Sequence, residues 1–198
     1  DSADDIHIVS AGKYDRTRDI SYSVFDCGTD TLGAWEEAAA YTDNASSFPG
    51  CAISIDSNDK PRVLYVDGVK YHGKTYWQVY YTDKTGASWA TPEQASGASD
   101  NYYIDPYLTC CPNDDVEAFY YLNIDGDPAY NRRNANWGGE STYTEASATI
   151  GAVTCTTGNT TYRYHEASAN IEENDSDTGY ATDDTYKRVS AALANSTR

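Results

Sequence analysis

Asp83-Lys-Thr-Gly86-Ala-Ser-Trp89 is a turn that leads into a tryptophan, and related turns stand on either side of it. Asp30-Thr-Leu-Gly33-Ala-Trp35 precedes it and Asn131-Arg-Arg-Asn-Ala-Asn-Trp137 follows. The tryptophans are 54 and 48 residues apart and Tyr186 comes 49 later, a beat that predicts a repeat of one four-stranded propeller blade. A second landmark keeps the same order. Ile53-Ser-Ile55, Leu108-Thr-Cys110 and Val153-Thr-Cys155 each run apolar, hydroxyl, apolar. Each is followed by a turn, at Asn58-Asp59, Asn113-Asp114 and Gly158-Asn159, and then by a β-prone segment, at 62–66, 117–121 and 161–164. Two landmarks in constant order predict an all-β chain of four units, about 1–48, 49–99, 100–148 and 149–198, in one propeller-like domain.

Each unit reads as four strands, A to D. The second has A at 52–56, B at 62–66, C at 76–82 and D from Trp89. The third runs 107–111, 117–122, 128–132 and onward from Trp137. The fourth runs 150–155, 161–165, 179–183 and 186–191. In the second unit's C strand, Trp77, Val79 and Tyr81 alternate with Tyr76, Gln78 and Tyr80. Both faces are apolar or aromatic, as in a sheet covered on both sides. The first unit is incomplete, with 6–10 as B, 20–25 as C and Trp35 opening D. Either the stretch 191–195 returns to supply its A strand, or the chain belongs to a larger propeller or assembly. A β-sandwich or jelly roll is the alternative architecture, although a sandwich does not require a fifty-residue beat.

The composition excludes several classes. Nineteen tyrosines in 198 residues are too many aromatics for a disordered chain, despite a mean hydropathy of -0.69. No apolar run reaches the roughly twenty residues of a membrane span. Thirty-one acidic residues against fourteen basic ones leave a net charge of -17, which repels phosphate backbones and excludes nucleic acid as the expected partner. The acidity fits a secreted surface and adaptation to high salt equally. The chain has no methionine, as in a processed chain or a fragment. Five cysteines point to an oxidising compartment. Cys110 and Cys155 read as small core residues at the place of Ile55. A vicinal Cys110–Cys111 disulfide and a Cys27–Cys51 pair are the alternatives.

Thr82-Asp-Lys-Thr-Gly-Ala-Ser-Trp89 resembles the Asp-box, or BNR repeat, of sialidase-type propellers. Thr82, Gly86, Ser88 and Trp89 fall on that pattern, while Lys84 holds the aspartate position and Asp83 stands one residue early. The resemblance implies a structural box between strands C and D, with its tryptophan packed between blades. It does not carry the activity over. Sialidases use an arginine triad, a Tyr/Glu nucleophile pair, an Asp acid/base and six blades. The Phe-Arg-Ile-Pro mark of the first arginine is absent, and Arg132, Arg133, Arg163, Arg16 and Arg18 share no motif.

Elsewhere the chemistry is sparse. His7, His72 and His165 lack zinc-site spacing. Asp125-Gly-Asp127, Asp175-Ser-Asp177 and Asp56-Ser-Asn-Asp59 alternate oxygen ligands as calcium turns do, and Asp125, Asp127, Asp175 and Asp177 are the candidate metal residues. The same residue types are also common turn formers. Sequons at Asn44, Asn159, Asn174 and Asn195 all fall in expected loops or at the terminus, where glycan is tolerated. Loops joining D to A and B to C share one end of a propeller. Tyr71, His72, Tyr102 and Tyr103 lie there, offering flat amphipathic faces to sugar rings or protein. The expected protein is therefore a non-catalytic extracellular or surface module that binds glycan or protein, or builds an assembly. Its rival is a fragment of a sialidase-like glycoside hydrolase.

Overall fold

The computed structural model describes residues 3–14, 17–40, 50–71, 74–97, 102–122, 127–142, 150–155, 161–165, 170–175 and 179–183. Its elements are strands, paired antiparallel throughout, in four sheets that follow one another along the chain. The first sheet holds β1 (Ile6–Tyr14), β2 (Thr17–Asp26), β3 (Thr31–Leu32) and β4 (Glu36–Ala40). The second holds β5 (Cys51–Ile55), β6 (Pro61–Tyr71), β7 (Lys74–Thr85), β8 (Ser88–Trp89) and β9 (Glu93–Gln94). The third holds β10 (Tyr103–Cys110), β11 (Val116–Leu122), β12 (Asp127–Arg133) and β13 (Ser141–Thr142). The fourth holds β14 (Ile150–Cys155), β15 (Thr161–His165), β16 (Asn170–Asp175) and β17 (Gly179–Asp183). None of these sheets closes on itself, and both propeller blades and a sandwich can be built from such meanders.

Local chemistry sets the strand ends. The turns entering β6 and β11 place Asp59 at φ 60° and Asp114 at φ 65°. This left-handed conformation is open to Asp and Asn because their short side chains bond the nearby backbone. Asp4, at φ 63°, makes the corresponding turn before β1, so β1 matches the second strand of the later sheets. Among the described residues the first sheet has no counterpart of β5, β10 and β14. The hairpin from β7 to β8 turns on Gly86 at φ 64°, which puts the Asp-box-like segment in the connection between the third and fourth strands.

Three hydrogen bonds fix the equivalence of the sheets. Gly33 N–H donates to Val24, Ala90 to Asp83 and Gly138 to Arg132, each at 2.8 Å. Tyr22, Tyr81 and Tyr130 therefore hold one position on successive sheets, and Phe25, Lys84 and Arg133 hold another. Tyr22 and Tyr81 lie on the face toward the next sheet, where Trp89 and Trp137 meet them edge-on at 5.2 and 5.4 Å. Lys84 Nζ lies 5.1 Å from the Tyr22 ring centroid and ion-pairs with Glu36. Arg133 Cζ lies 5.1 Å from the Tyr81 ring centroid and grips both oxygens of Glu93, at 2.9 and 3.0 Å. The same junction is built twice. Around it, Ile20, Tyr22, Ala38, Ala39, Val63 and Tyr65 form one core between the first two sheets. Leu64, Val66, Val79, Tyr81, Tyr103, Val116 and Tyr120 belong to the core between the second and third.

Several expectations are corrected. In the fourth sheet the third strand is 170–175 and the fourth is 179–183, so 179–183 serves one strand later than its sequence suggests. The weakly apolar stretch at 170–175 hides its strand character. Asn174 consequently sits inside β16, in register with Thr161 and Tyr180, not in a loop. The expected strand at 186–191 and the closing stretch at 191–195 lie outside the described residues. Trp35 is 37% exposed, because the register gives the place of Trp89 and Trp137 to Leu32.

Cys111 is disulfide-bonded while Cys27, Cys51 and Cys110 are free thiols, which rules out both the vicinal bridge and the Cys27–Cys51 pair. The Cys27 amide bonds Asp5 and the Cys51 thiol lies against the backbone of Ala11. Six residues of extended β1 separate those anchors by about 20 Å, beyond the ~7 Å a disulfide spans between Cα atoms. Cys110 is partly buried against the core, as its place in the repeat suggests, and burial pushes its thiol up to about 11.

Two measurements test the junction. Trp89→Ala should lower the unfolding free energy by about 3–5 kcal/mol, and Trp35→Ala by about 1 kcal/mol or less, as read by urea titration. Burial and the Glu36 carboxylate push the Tyr22 hydroxyl up from 10.0 to about 12. The folded state holds that proton more tightly than the unfolded chain. Its contribution to stability is therefore complete below pH 10 and lost as pH rises through about 12. Tyr22→Phe should flatten that alkaline loss in a series of urea titrations.

Candidate functional site

Three aromatic side chains meet where the long β6–β7 hairpin approaches the start of β10. Tyr102 lies 5.4 Å from Tyr76 and 5.5 Å from Trp77, the second pair edge-on. All three are half-buried, with Trp77 also leaning on the core between the second and third sheets. Tyr76 and Trp77 are consecutive on β7 and leave it on opposite faces, and Tyr102, just before β10, reaches both. Trp77 and Gln78 are neighbours on β7 and point to opposite faces, as do Tyr102 and Tyr103 across the start of β10. Gln78 and Tyr103, beside Trp77 and Tyr102 in sequence, are buried.

Those neighbours form a polar chain behind the aromatics. Gln78 Oε1 accepts from the Ser96 hydroxyl at 2.9 Å and from Gln94 Nε2 at 3.0 Å. The next amide, Gly97 N–H, donates to Glu140 at 2.8 Å. Glu140 also accepts from the Tyr103 hydroxyl at 3.1 Å and from the Tyr120 hydroxyl at 3.0 Å. The second and third sheets are thus tied together directly behind the Trp77–Tyr102 contact. A Cβ at Gly97 would stand 3.0 Å from a Glu140 oxygen, so the carboxylate and the glycine fit against each other.

A carboxylate beside two tyrosines invites a catalytic reading, and the electrostatics oppose it. Tyr103 and Tyr120 are fully buried. Burial and the Glu140 charge push the Tyr120 hydroxyl far above its ordinary value, so it stays protonated and donates. Among the described residues Arg62, Arg132 and Arg133 are likewise engaged. Arg132 pairs with Asp115 at 2.7 Å, and Arg133 is held by Glu93 and Tyr81. Arg62 is enclosed by Asp56, Asp83 and the Tyr81 hydroxyl.

Of the residues singled out in the sequence, Tyr102 belongs to the cluster. Tyr71 ends β6 in register with Lys74 at the same hairpin, and His72 lies outside the described residues. Tyr103 is a core residue with no face open to a ligand. Tyr76 and Trp77 were not anticipated. Trp77 carried a signal, since it is the tryptophan that misses the fifty-residue beat and so is not explained by the repeat.

Asp125 and Asp177 lie outside the described residues, as do Asn44, Asn159 and Asn195. Asp127 opens β12 and Asp175 ends β16, with only their backbones described. Among the described residues no three His, Cys, Asp or Glu side chains gather as for a metal ion. Asp56, the third acidic turn, spends its oxygens on the amides of Asn58 and Lys60 and on Arg62. Burial alone would raise its carboxyl, but those bonds hold it below the ordinary value. His7 is engaged as well, 2.6 Å from the Tyr22 hydroxyl.

No protein-family model and no curated protein sequence matches the chain. Solved structures do. It is similar to an ulvan lyase, a polysaccharide lyase, with a TM-score of 0.64 at 11% identity over 90% of this chain and 52% of that one. It is similar to the Hadza microbial sialidase Hz136, with a TM-score of 0.57 at 10% identity over 83% of this chain and 39% of that one. A protein of unknown function from Dyadobacter fermentans DSM 18053 matches with a TM-score of 0.52 at 8% identity over 83% of this chain and 47% of that one. The chain spans 39–52% of the length of these structures, and identities this low speak for the fold alone. What these likenesses define is the fold, an all-β architecture shared with a lyase and a sialidase.

Removing the Glu140 carboxylate leaves the Tyr103 and Tyr120 hydroxyls short of an acceptor. Glu140→Ala should destabilise by about 1–3 kcal/mol, measured by chemical denaturation, and Glu140→Gln should recover part of that loss.

Proposed function

We propose that the four sheets are consecutive blades of a propeller, and that the chain is a non-catalytic extracellular module that binds glycan through Tyr76, Trp77 and Tyr102. The aromatic cluster carries this reading. Aromatic faces stack on the apolar faces of sugar rings, and a polar chain that locks two sheets together behind them removes the entropy cost of gathering them on binding. The likeness to a sialidase and an ulvan lyase supports a carbohydrate ligand at the level of fold. A net charge of -17 disfavours sulfated and uronate polymers, so neutral glycans are the class proposed. The Cys111 disulfide supports an oxidising, extracellular setting.

The competing reading is a piece of a sialidase-like glycoside hydrolase, supported by the shared fold. The ion-paired arginines and the buried, protonated tyrosines weigh against it in the described residues.

Trp77 fluorescence provides the test. Neutral oligosaccharides should quench or shift it with saturation, and Tyr102→Ala should weaken binding by about tenfold, or 1.4 kcal/mol, with melting little changed. Saturation by sulfated polymers alone, or no response across neutral glycans, would sink the proposal. Turnover of a fluorogenic sialoside would replace it with the hydrolase.

A further inference from the structure

At each inner junction the charges run one way. Lys84 and Trp89 are in register on the second sheet and meet Tyr22 of the first. Arg133 and Trp137 are bridged on the third sheet and meet Tyr81 of the second. The row supplies the cation, and the preceding sheet supplies the carboxylate, Glu36 or Glu93. The corresponding row of the first sheet is Ile6, Phe25 and Leu32, in register in that order. Phe25 stands where Lys84 and Arg133 stand, so this row brings no cation. Ile6 is 54% exposed and Leu32 50%, and they are two of the three large exposed hydrophobic residues among those described, Trp35 being the third.

The charge around this row has the opposite sign. Residues 3–7 and 23–33, which carry the row, include Asp4, Asp5, Asp26 and Asp30 and no lysine or arginine. Each row member thus has an aspartate within two residues of it. Backbone amides hold two of these acids in place. Asp26 accepts from the Gly28 and Thr29 amides at 2.8 and 2.9 Å, and Asp5 from the Cys27 amide at 3.2 Å. Lys13 and Arg18, on the same two strands, are in register with each other beside the β1–β2 hairpin. Seven residues of extended strand put them about 23 Å from the row, beyond the ~10 Å over which exposed charges act in salt. A surface that covers the row therefore meets fixed negative charge at its rim.

We propose that the Ile6–Phe25–Leu32 row docks a protein partner whose surface is apolar and flanked by lysine or arginine. Charge complementarity selects that occupant. A second copy of the row would set the same aspartates against each other. This chain's own fourth sheet has Asp183 at the register place of Glu36 and Glu93, a carboxylate that the row has no cation to meet. A cationic apolar surface leaves no such charge unmatched. Its aliphatic part covers Ile6 and Leu32, and its cations meet the aspartates at the wet rim, where such pairs set orientation more than affinity. The inference goes beyond the glycan reading and does not depend on it.

Cys27 makes the test site-specific. Its thiol is exposed beside Asp26, whereas Cys51 and Cys110 are partly buried and burial pushes both thiols up. An environment-sensitive maleimide dye on Cys27 is titrated with a short peptide alternating leucine and lysine. Serine–lysine and leucine–glutamate peptides of equal length are the controls. The leucine–lysine peptide should saturate the signal and bind at least about tenfold more tightly than either control. Leu32→Ser should weaken it about tenfold, the loss expected when the exposed half of a leucine is no longer covered. Circular dichroism and melting should stay unchanged, since position 32 is half exposed, and Ile6→Ser provides a second variant of the row. Asp30→Asn should weaken binding about threefold, and Asp105→Asn, at an exposed aspartate of the third sheet, should leave it unchanged. The two positions are matched, with φ of 55° and 48°, a conformation that asparagine accepts. Equal binding of the serine–lysine peptide, or indifference to both row variants, would show unspecific attraction to an acidic chain and overturns the proposal. So does equal loss from Asp30→Asn and Asp105→Asn. A signal that responds to added unlabelled chain alone would put a second copy on the row, and it overturns the proposal as well.

Discussion

The structure depends on a cation held between a tyrosine ring and a glutamate at each described junction between its first three sheets. Lys84 does this against Tyr22 and Glu36, and Arg133 against Tyr81 and Glu93. Contacts of this type contribute on the order of 1 kcal/mol each. Their larger effect is on register, because a charge near an apolar interface must meet its partner and so fixes how one sheet lies on the next. The two junctions also show why Lys and Arg are not interchangeable. Lys84 leaves Glu36 able to accept from the Trp89 indole at 3.2 Å. Arg133 takes both oxygens of Glu93, and the buried Trp137 indole N–H is left without a partner.

The same repetition with altered chemistry appears at the inner turns. Arg62 and Asp83 form a cross-strand pair in the second sheet, and Glu117 and Arg132 form the reversed pair at the equivalent place in the third. The turns themselves touch, since Asp114 accepts from the Ser57 amide and the Asn58 side chain. An acidic chain thus places some of its many carboxylates as turn caps and ion-pair partners. The polarity of the sequence serves the fold as well as solubility.

The candidate site follows from the same architecture. The sheet ends with the long β6–β7 hairpin bring residues from two sheets together, and Gln78 is buried while Tyr76 and Trp77 before it stay half-buried. Gln78, Ser96, Gly97 and Glu140 are then committed to holding the sheets, and Tyr76, Trp77 and Tyr102 are left half-buried at the end. The division of labour explains why Tyr103, beside Tyr102 in sequence, is structural.

The order of strands in the second and third sheets, the turn at each Asn-Asp pair and the packing of Trp89 and Trp137 against the preceding sheet are legible in the sequence. They come from local chemistry and a short period, which any window of fifty residues contains. The place of Trp35, the third strand of the fourth sheet, the state of Cys27 and Cys51, and the aromatic site are not. Each depends on register between strands or on distance between sheets. A slip of one residue sends a side chain to the opposite face, so Leu32 rather than Trp35 takes the tryptophan position. The spacing of Tyr102 from Trp77 in sequence says nothing of their 5.5 Å contact, which exists because two separately specified sheets are packed by burial and fixed by paired charge.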